Sequence, residues 1–129
     1  MNRKSPALIT LLCLFPVLSA VAIGPEHSGS WYWDEQDGHG FSIEIGELHD
    51  GSPWAAVYWY TYDNQGNPIF MVGSGAPNGD MLEVSFVSPV GMVFGEFDPL
   101  GVIREDGGTG RFVFTDENIA TFQYTPSDF

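Results

Sequence analysis

The chain has 129 residues, with 17 acidic side chains against four basic ones, a net charge of −13, and 15% aromatic content. Such a balance repels phosphate backbones and anionic headgroups, so nucleic acid and an acidic membrane surface are excluded as partners. Cations, basic proteins or plain solubility remain.

In chain order, Arg3 and Lys4 precede the apolar run "PALITLLCLFPVLSAVA", which is too short and too interrupted by Pro16 to span a bilayer as a helix. It reads as a signal peptide, with Ala20-Val21-Ala22 placing cleavage after Ala22. The expected organisation is a signal peptide over 1–22 and a single β-domain over 23–129, secreted or periplasmic, with no membrane partner after cleavage. Cys13, the one cysteine, leaves with the leader and lacks the lipoprotein pattern around it. Removing 22 of 129 residues leaves 107, enough to bury about two-thirds of the unfolded surface without a disulfide. The remaining 17 acids face only Arg104 and Arg111, a net charge of −15. No lysine remains, which rules out a P-loop, a Schiff-base or pyridoxal-phosphate site and a lysine general base.

Beyond the leader, hydrophobicity repeats every second residue and no amphipathic stretch reaches helical length. "GFSIEIGEL" sets Phe41, Ile43 and Ile45 against Ser42 and Glu44. "WAAVYWYTY" sets Ala55, Val57, Trp59 and Thr61 against Trp54, Ala56, Tyr58, Tyr60 and Tyr62. "PIFMVGSG" is apolar on both faces, as in a covered strand, and "MLEVSFVS" groups Leu82, Val84 and Phe86. "RFVFT" and "IATFQYT" complete six expected strands, with weaker ones at "SWYW" and "GMVFGEF". The connections carry turn chemistry. In "YDNQGNP", Asp63 can accept from the N–H groups ahead of it and Gly66 can take a positive φ. Short strands joined by tight turns predict an all-β fold, a small antiparallel meander closing into a barrel-like sheet, with a β-sandwich as the alternative.

"GSWYWDEQDGHGFSIEI", "VYWYTYDNQGNPIFMVGSG", "FGEFDP" and "RFVFTD" together resemble an exported bacterial family of small β-domains. Its motifs are G-x-W-Y followed by G-x-G-F-x-x-E, then W-Y-T-Y-D-x-x-G-x-P-x-W-x-x-G-x-G. The likeness spans nearly all of the mature chain and implies fold and export, together with occurrence as an appendage of larger secreted enzymes. Phe70 stands where the family usually has Trp, and Glu117 where it often has Cys, which removes the disulfide the likeness otherwise implies. Gly29-Ser30-Trp31 also resembles the G-x-W opening of lipocalin and avidin barrels. There the Trp plugs one end and stacks on a late-strand arginine, a role for which Trp31 and Arg111 are the structural candidates, with Trp33 as the other plug.

Chemistry-bearing clusters are sparse. Asp34, Glu35, Asp37 and Glu44 lack the D-x-D-x-D-G ladder that lets one loop surround Ca²⁺. His27, His39 and His49 lack zinc-ligand spacing, and Ser74 lacks the nucleophile-elbow pattern. No catalytic residue, cofactor or metal site is expected. The informative feature is the row Tyr58, Tyr60 and Tyr62, about 7 Å apart along one strand face, positioned to stack on sugar rings or grip a partner. Trp33 and His39 join them as candidate ligand-binding residues. The expected function is a non-enzymatic exported binding module for a glycan, an apolar small molecule or a basic protein. A secreted inhibitor or accessory protein of another enzyme is the alternative, and a hydrolase the third reading.

Overall fold

A computed structural model describes residues 21–127, so the expected signal peptide lies outside the described residues except for its last two positions. Among the described residues, eight strands form one antiparallel sheet: β1 (Gly29–Tyr32), β2 (Gly40–Glu47), β3 (Pro53–Tyr62), β4 (Pro68–Gly75), β5 (Pro77–Asn78), β6 (Met81–Val90), β7 (Ile103–Phe114) and β8 (Ala120–Thr125). The order is β1-β2-β3-β4-β6-β7-β8, with the two-residue β5 clipped onto β6. This is the meander that alternation and tight turns predict. The inward-facing sets are those read from periodicity: Phe41, Ile43 and Ile45 on β2, Ala55, Val57, Trp59 and Thr61 on β3, and Leu82, Val84 and Phe86 on β6 are all buried.

The sheet is curled into a half-barrel. Phe41 on β2 and Phe122 on β8 lie five strands apart in sheet order, which in a flat sheet means about 24 Å at the usual strand spacing. Their ring centroids are 4.7 Å apart. Trp59 on β3 likewise meets Phe122 at 5.2 Å and Tyr124 at 4.8 Å. The concave face is therefore its own core, one layer folded over until opposite ends touch, and no second sheet is present among the described residues.

Two local features permit that curvature. Between the Ser85↔Thr109 and Val87↔Asp106 pairs, Phe86 alone on β6 opposes Gly107 and Gly108 on β7. Such a bulge increases twist and bends its strand. Gly108 sits at φ +75° and donates its N–H to Asp106 Oδ1 at 2.9 Å. On the concave side, a Cβ at Gly110 would lie 2.6 Å from both Phe86 and Phe122, so the missing side chain is what lets those rings close over the sheet.

The N-terminal segment covers one end. Ile23 donates its N–H to the Gly79 carbonyl at 2.9 Å, and a short 3-10 turn over Pro25–His27 buries the His27 ring edge-on against Phe114. The Trp31 indole N–H donates to the His27 carbonyl at 3.0 Å while its ring stands 5.1 Å from Phe114. Ser28 Oγ accepts the Ile45 N–H at 2.9 Å, tying the turn to β2.

Three strand expectations are corrected. β4 is covered on one face only: Met71 is buried, but Phe70 is 47% exposed, because among the described residues no layer packs on the convex side. "GMVFGEF" is not a strand but an exposed loop with one bridge, Val93↔Glu96, since its apolar residues have no facing surface to pack on. β7 begins at Ile103 rather than Arg111, because pairing with β6 extends the hairpin beyond its hydrophobic part.

Candidate functional site

The convex face of β1 to β4 carries the aromatic surface. Tyr58, Tyr60 and Tyr62 project from β3 away from the core, and all three rings are exposed. Residues paired across an antiparallel ladder share a face, so the register identifies their neighbours: Tyr60 opposes Gly40 on one side and Phe70 on the other, and Gly40 in turn opposes Tyr32. Tyr32, Gly40, Tyr60 and Phe70 thus form a row across four strands, crossing the Tyr58 to Tyr62 row at Tyr60. Gly40 places no side chain between Tyr32 and Tyr60, whose backbones lie two strand spacings apart, about 9.6 Å. The gap that this glycine leaves between the two tyrosine positions is a slot in the convex face. Tyr60 is 51% and Tyr32 73% exposed, so the rings are available to a ligand.

His39 stands at one end of this surface. Its ring meets Tyr62 edge-on at 5.2 Å, and its Nδ1 lies 3.0 Å from the Thr61 hydroxyl. Gly38, at φ +82°, passes directly beneath the Tyr62 hydroxyl, where a Cβ would collide. The β1–β2 turn is built for this approach: Gln36 donates to the Trp33 carbonyl and His39 to the Gln36 carbonyl, both at 3.2 Å. At the same end of the sheet, the β3–β4 turn folds as its residues predict. Asp63 Oδ1 accepts the N–H groups of Gln65 and Asn67 at 2.8 Å, Oδ2 accepts the Asn67 amide at 2.9 Å, and Gly66 takes φ +84°. These bonds, the Asn67 side chain foremost, hold the Asp63 carboxyl below the ordinary aspartate range.

The structure brings Tyr58, Tyr60, Tyr62 and His39 together and leaves Trp33 elsewhere. Trp33 packs at 5.3 Å on Phe41 and 6.2 Å on Phe122, bridging the seam between the two ends of the curled sheet. A groove of about 160 Å³ runs along that seam beside Trp31, Phe112 and Ile119. That is well below the volume that encloses a typical small-molecule ligand. Arg111 is exposed, paired in register with Glu83 and Gln123, while Trp31 packs on Phe114. Tyr32 and Phe70 were not among the candidate ligand-binding residues read from the sequence. The missed signal was Gly40 in G-H-G-F, a glycine inside a strand, which marks a place where something approaches the backbone closely.

Among the described residues, no group of three or more His, Cys, Asp or Glu side chains is arranged to hold a metal ion. No helix among them is long and apolar enough to cross a membrane. The acidic residues of the β1–β2 turn, Asp34, Glu35 and Asp37, belong to a solvent-open rim. Tyr124, whose hydroxyl donates to the Gly107 carbonyl at 2.8 Å, has its pKa raised by burial and, secondarily, by Asp106.

These features define a class: an acidic β half-barrel with a ring-filled concave face and an aromatic convex face. Comparison with family models, curated proteins and solved structures found no match to this chain.

Proposed function

We propose that the protein is an exported, non-enzymatic binding module whose convex aromatic surface takes up an extended glycan. The observation that carries this reading is the slot formed by Tyr32 and Tyr60 over Gly40, continued by Phe70 and by Tyr58 and Tyr62. Rigid amphipathic rings supply contact area at low entropic cost, and a neutral sugar face meets them without opposing the chain's negative charge. The concave face supports no competing small-molecule reading, because Phe41, Trp59, Phe86, Phe112 and Phe122 fill it with one another.

The test is co-sedimentation of the purified protein with insoluble cellulose, chitin and peptidoglycan. Retention on at least one, lost in Tyr32→Ser/Tyr60→Ser with an unchanged unfolding midpoint, is the expected result. Retention on none, or a double variant that binds as well as the parent, overturns the glycan reading.

A second reading, an accessory protein or inhibitor docking on another protein, is favoured by a different observation: the exposed apolar loop between β6 and β7.

A further inference from the structure

The β6–β7 hairpin outruns the sheet that carries it. β4 pairs β6 only at Ser85 to Val87, and β8 pairs β7 only from Thr109 onward, whereas β6 and β7 continue to pair out to Val90↔Ile103. The arm ends in a loop that is ordered by its own hydrogen bonds, Asp98 Oδ1 accepting the Leu100 N–H at 2.9 Å and Gly101 donating to the Asp98 carbonyl at 3.0 Å. Val93, Phe94, Phe97, Leu100 and Ile103 all stand exposed on it, Phe94 and Leu100 almost completely. None of these side chains contributes to the core, so folding does not account for them, and a cluster of this kind marks a contact surface.

We infer that this arm docks an extended, cationic and apolar segment of a partner protein, by apolar contact at the tip and strand addition along β7. Charge decides the partner's chemistry. Glu96, Asp98, Glu105 and Asp106 surround the apolar residues against Arg104 alone. A second copy of this chain or an anionic lipid surface brings like charge to the same place, whereas a basic segment is attracted. The free edge decides the mode. Among the described residues, Ile103, Arg104 and Glu105 pair with β6 on one side and with no β8 residue on the other, while the neighbouring Asp106 carbonyl accepts the Ser127 hydroxyl at 3.0 Å. Across the hairpin, Pro89 offers no N–H, which blunts the β6 edge and leaves β7 as the one suited to a new strand. The inference is independent of the glycan slot, which lies on β1 to β4.

The experiment titrates the purified protein with a labelled peptide of alternating Leu and Lys, read by fluorescence anisotropy. Binding at low salt is expected to weaken about tenfold or more towards about 0.5 M salt, and by about tenfold or more in Phe94→Ser/Phe97→Ser. Replacing every Lys by Glu abolishes it, and hydrogen exchange slows at Ile103–Glu105. Tyr32→Ser/Tyr60→Ser binds the peptide unchanged, which separates this surface from the glycan slot. The proposal is overturned if the phenylalanine variant binds as the parent does. It is equally overturned if sedimentation velocity shows a parent dimer that this variant dissociates, or if neutral phosphatidylcholine vesicles retain the parent and release the variant.

Discussion

Replacing Phe41 by alanine tests the curled-sheet core most directly. The ring is only 5% exposed and touches Trp33, Trp59, Phe112 and Phe122 at centroid distances of 4.7 to 5.6 Å, partners drawn from both ends of the strand order. A buried Phe→Ala change costs about 3 to 5 kcal/mol, and aromatic pairs add about 0.5 to 1.5 kcal/mol each beyond area. Because part of that pair energy is already counted in the truncation, about 4 to 5 kcal/mol is expected, a large share of the roughly 5 to 15 kcal/mol that such domains possess. Phe70, the same residue type on the convex face, is the control, with an expected cost below about 1 kcal/mol. Urea denaturation followed by tryptophan fluorescence reads both, with the midpoint shifting and the slope held constant. A Phe41→Ala cost under about 1 kcal/mol, or equal costs at the two positions, refutes the assignment of concave core and convex surface.

Three further outcomes follow from particular contacts. Gly108→Ala places a side chain at φ +75° and against the Thr125 carbonyl, and should cost about 2 kcal/mol or more in denaturant midpoint; a neutral change removes the argument for the bulge. Ser28→Ala leaves the Ile45 N–H without the hydroxyl it donates to, for a loss of about 1 kcal/mol measured the same way. Asp63→Asn tests the turn by pH. The folded pKa is depressed by the Asn67 and backbone bonds, so the wild-type advantage is present above the ordinary aspartate value and is lost as pH falls through the lower folded value. Melting midpoints of the two proteins should therefore differ most near neutrality and converge below about pH 4; a difference that grows on acidification contradicts the assignment.

Why some of this was legible in the residues and some was not comes down to range. The inward set Phe41, Ile43, Ile45 and its counterparts on β3 and β6 could be read locally, because alternate side chains of a strand must take opposite faces. The Asp63–Gly66 turn could be read for the same reason, its bonds lying within five residues. Phe70 could not, because whether the outer face of β4 is covered depends on a layer elsewhere in the chain. Nor could Tyr32 as one side of the slot, since its distance from Tyr60 is set by two ladders of register through Gly40. Trp33 read as a rim contact by its composition, yet it bridges Phe41 and Phe122, a seam that exists only once the sheet has curled.

The sequence by itself determined an acidic, all-β meander with a tyrosine row pointing away from its core, because period, turn chemistry and net charge are properties of neighbours along the chain. Only the tertiary structure decided that the sheet closes on itself as a half-barrel rather than a sandwich, that Gly40 opens a slot between Tyr32 and Tyr60, and that β6 and β7 leave the sheet as an apolar-tipped arm. Each of these depends on contacts between residues far apart in sequence, where Gly110 and the bulge at Gly107 and Gly108 set how tightly the strands bend.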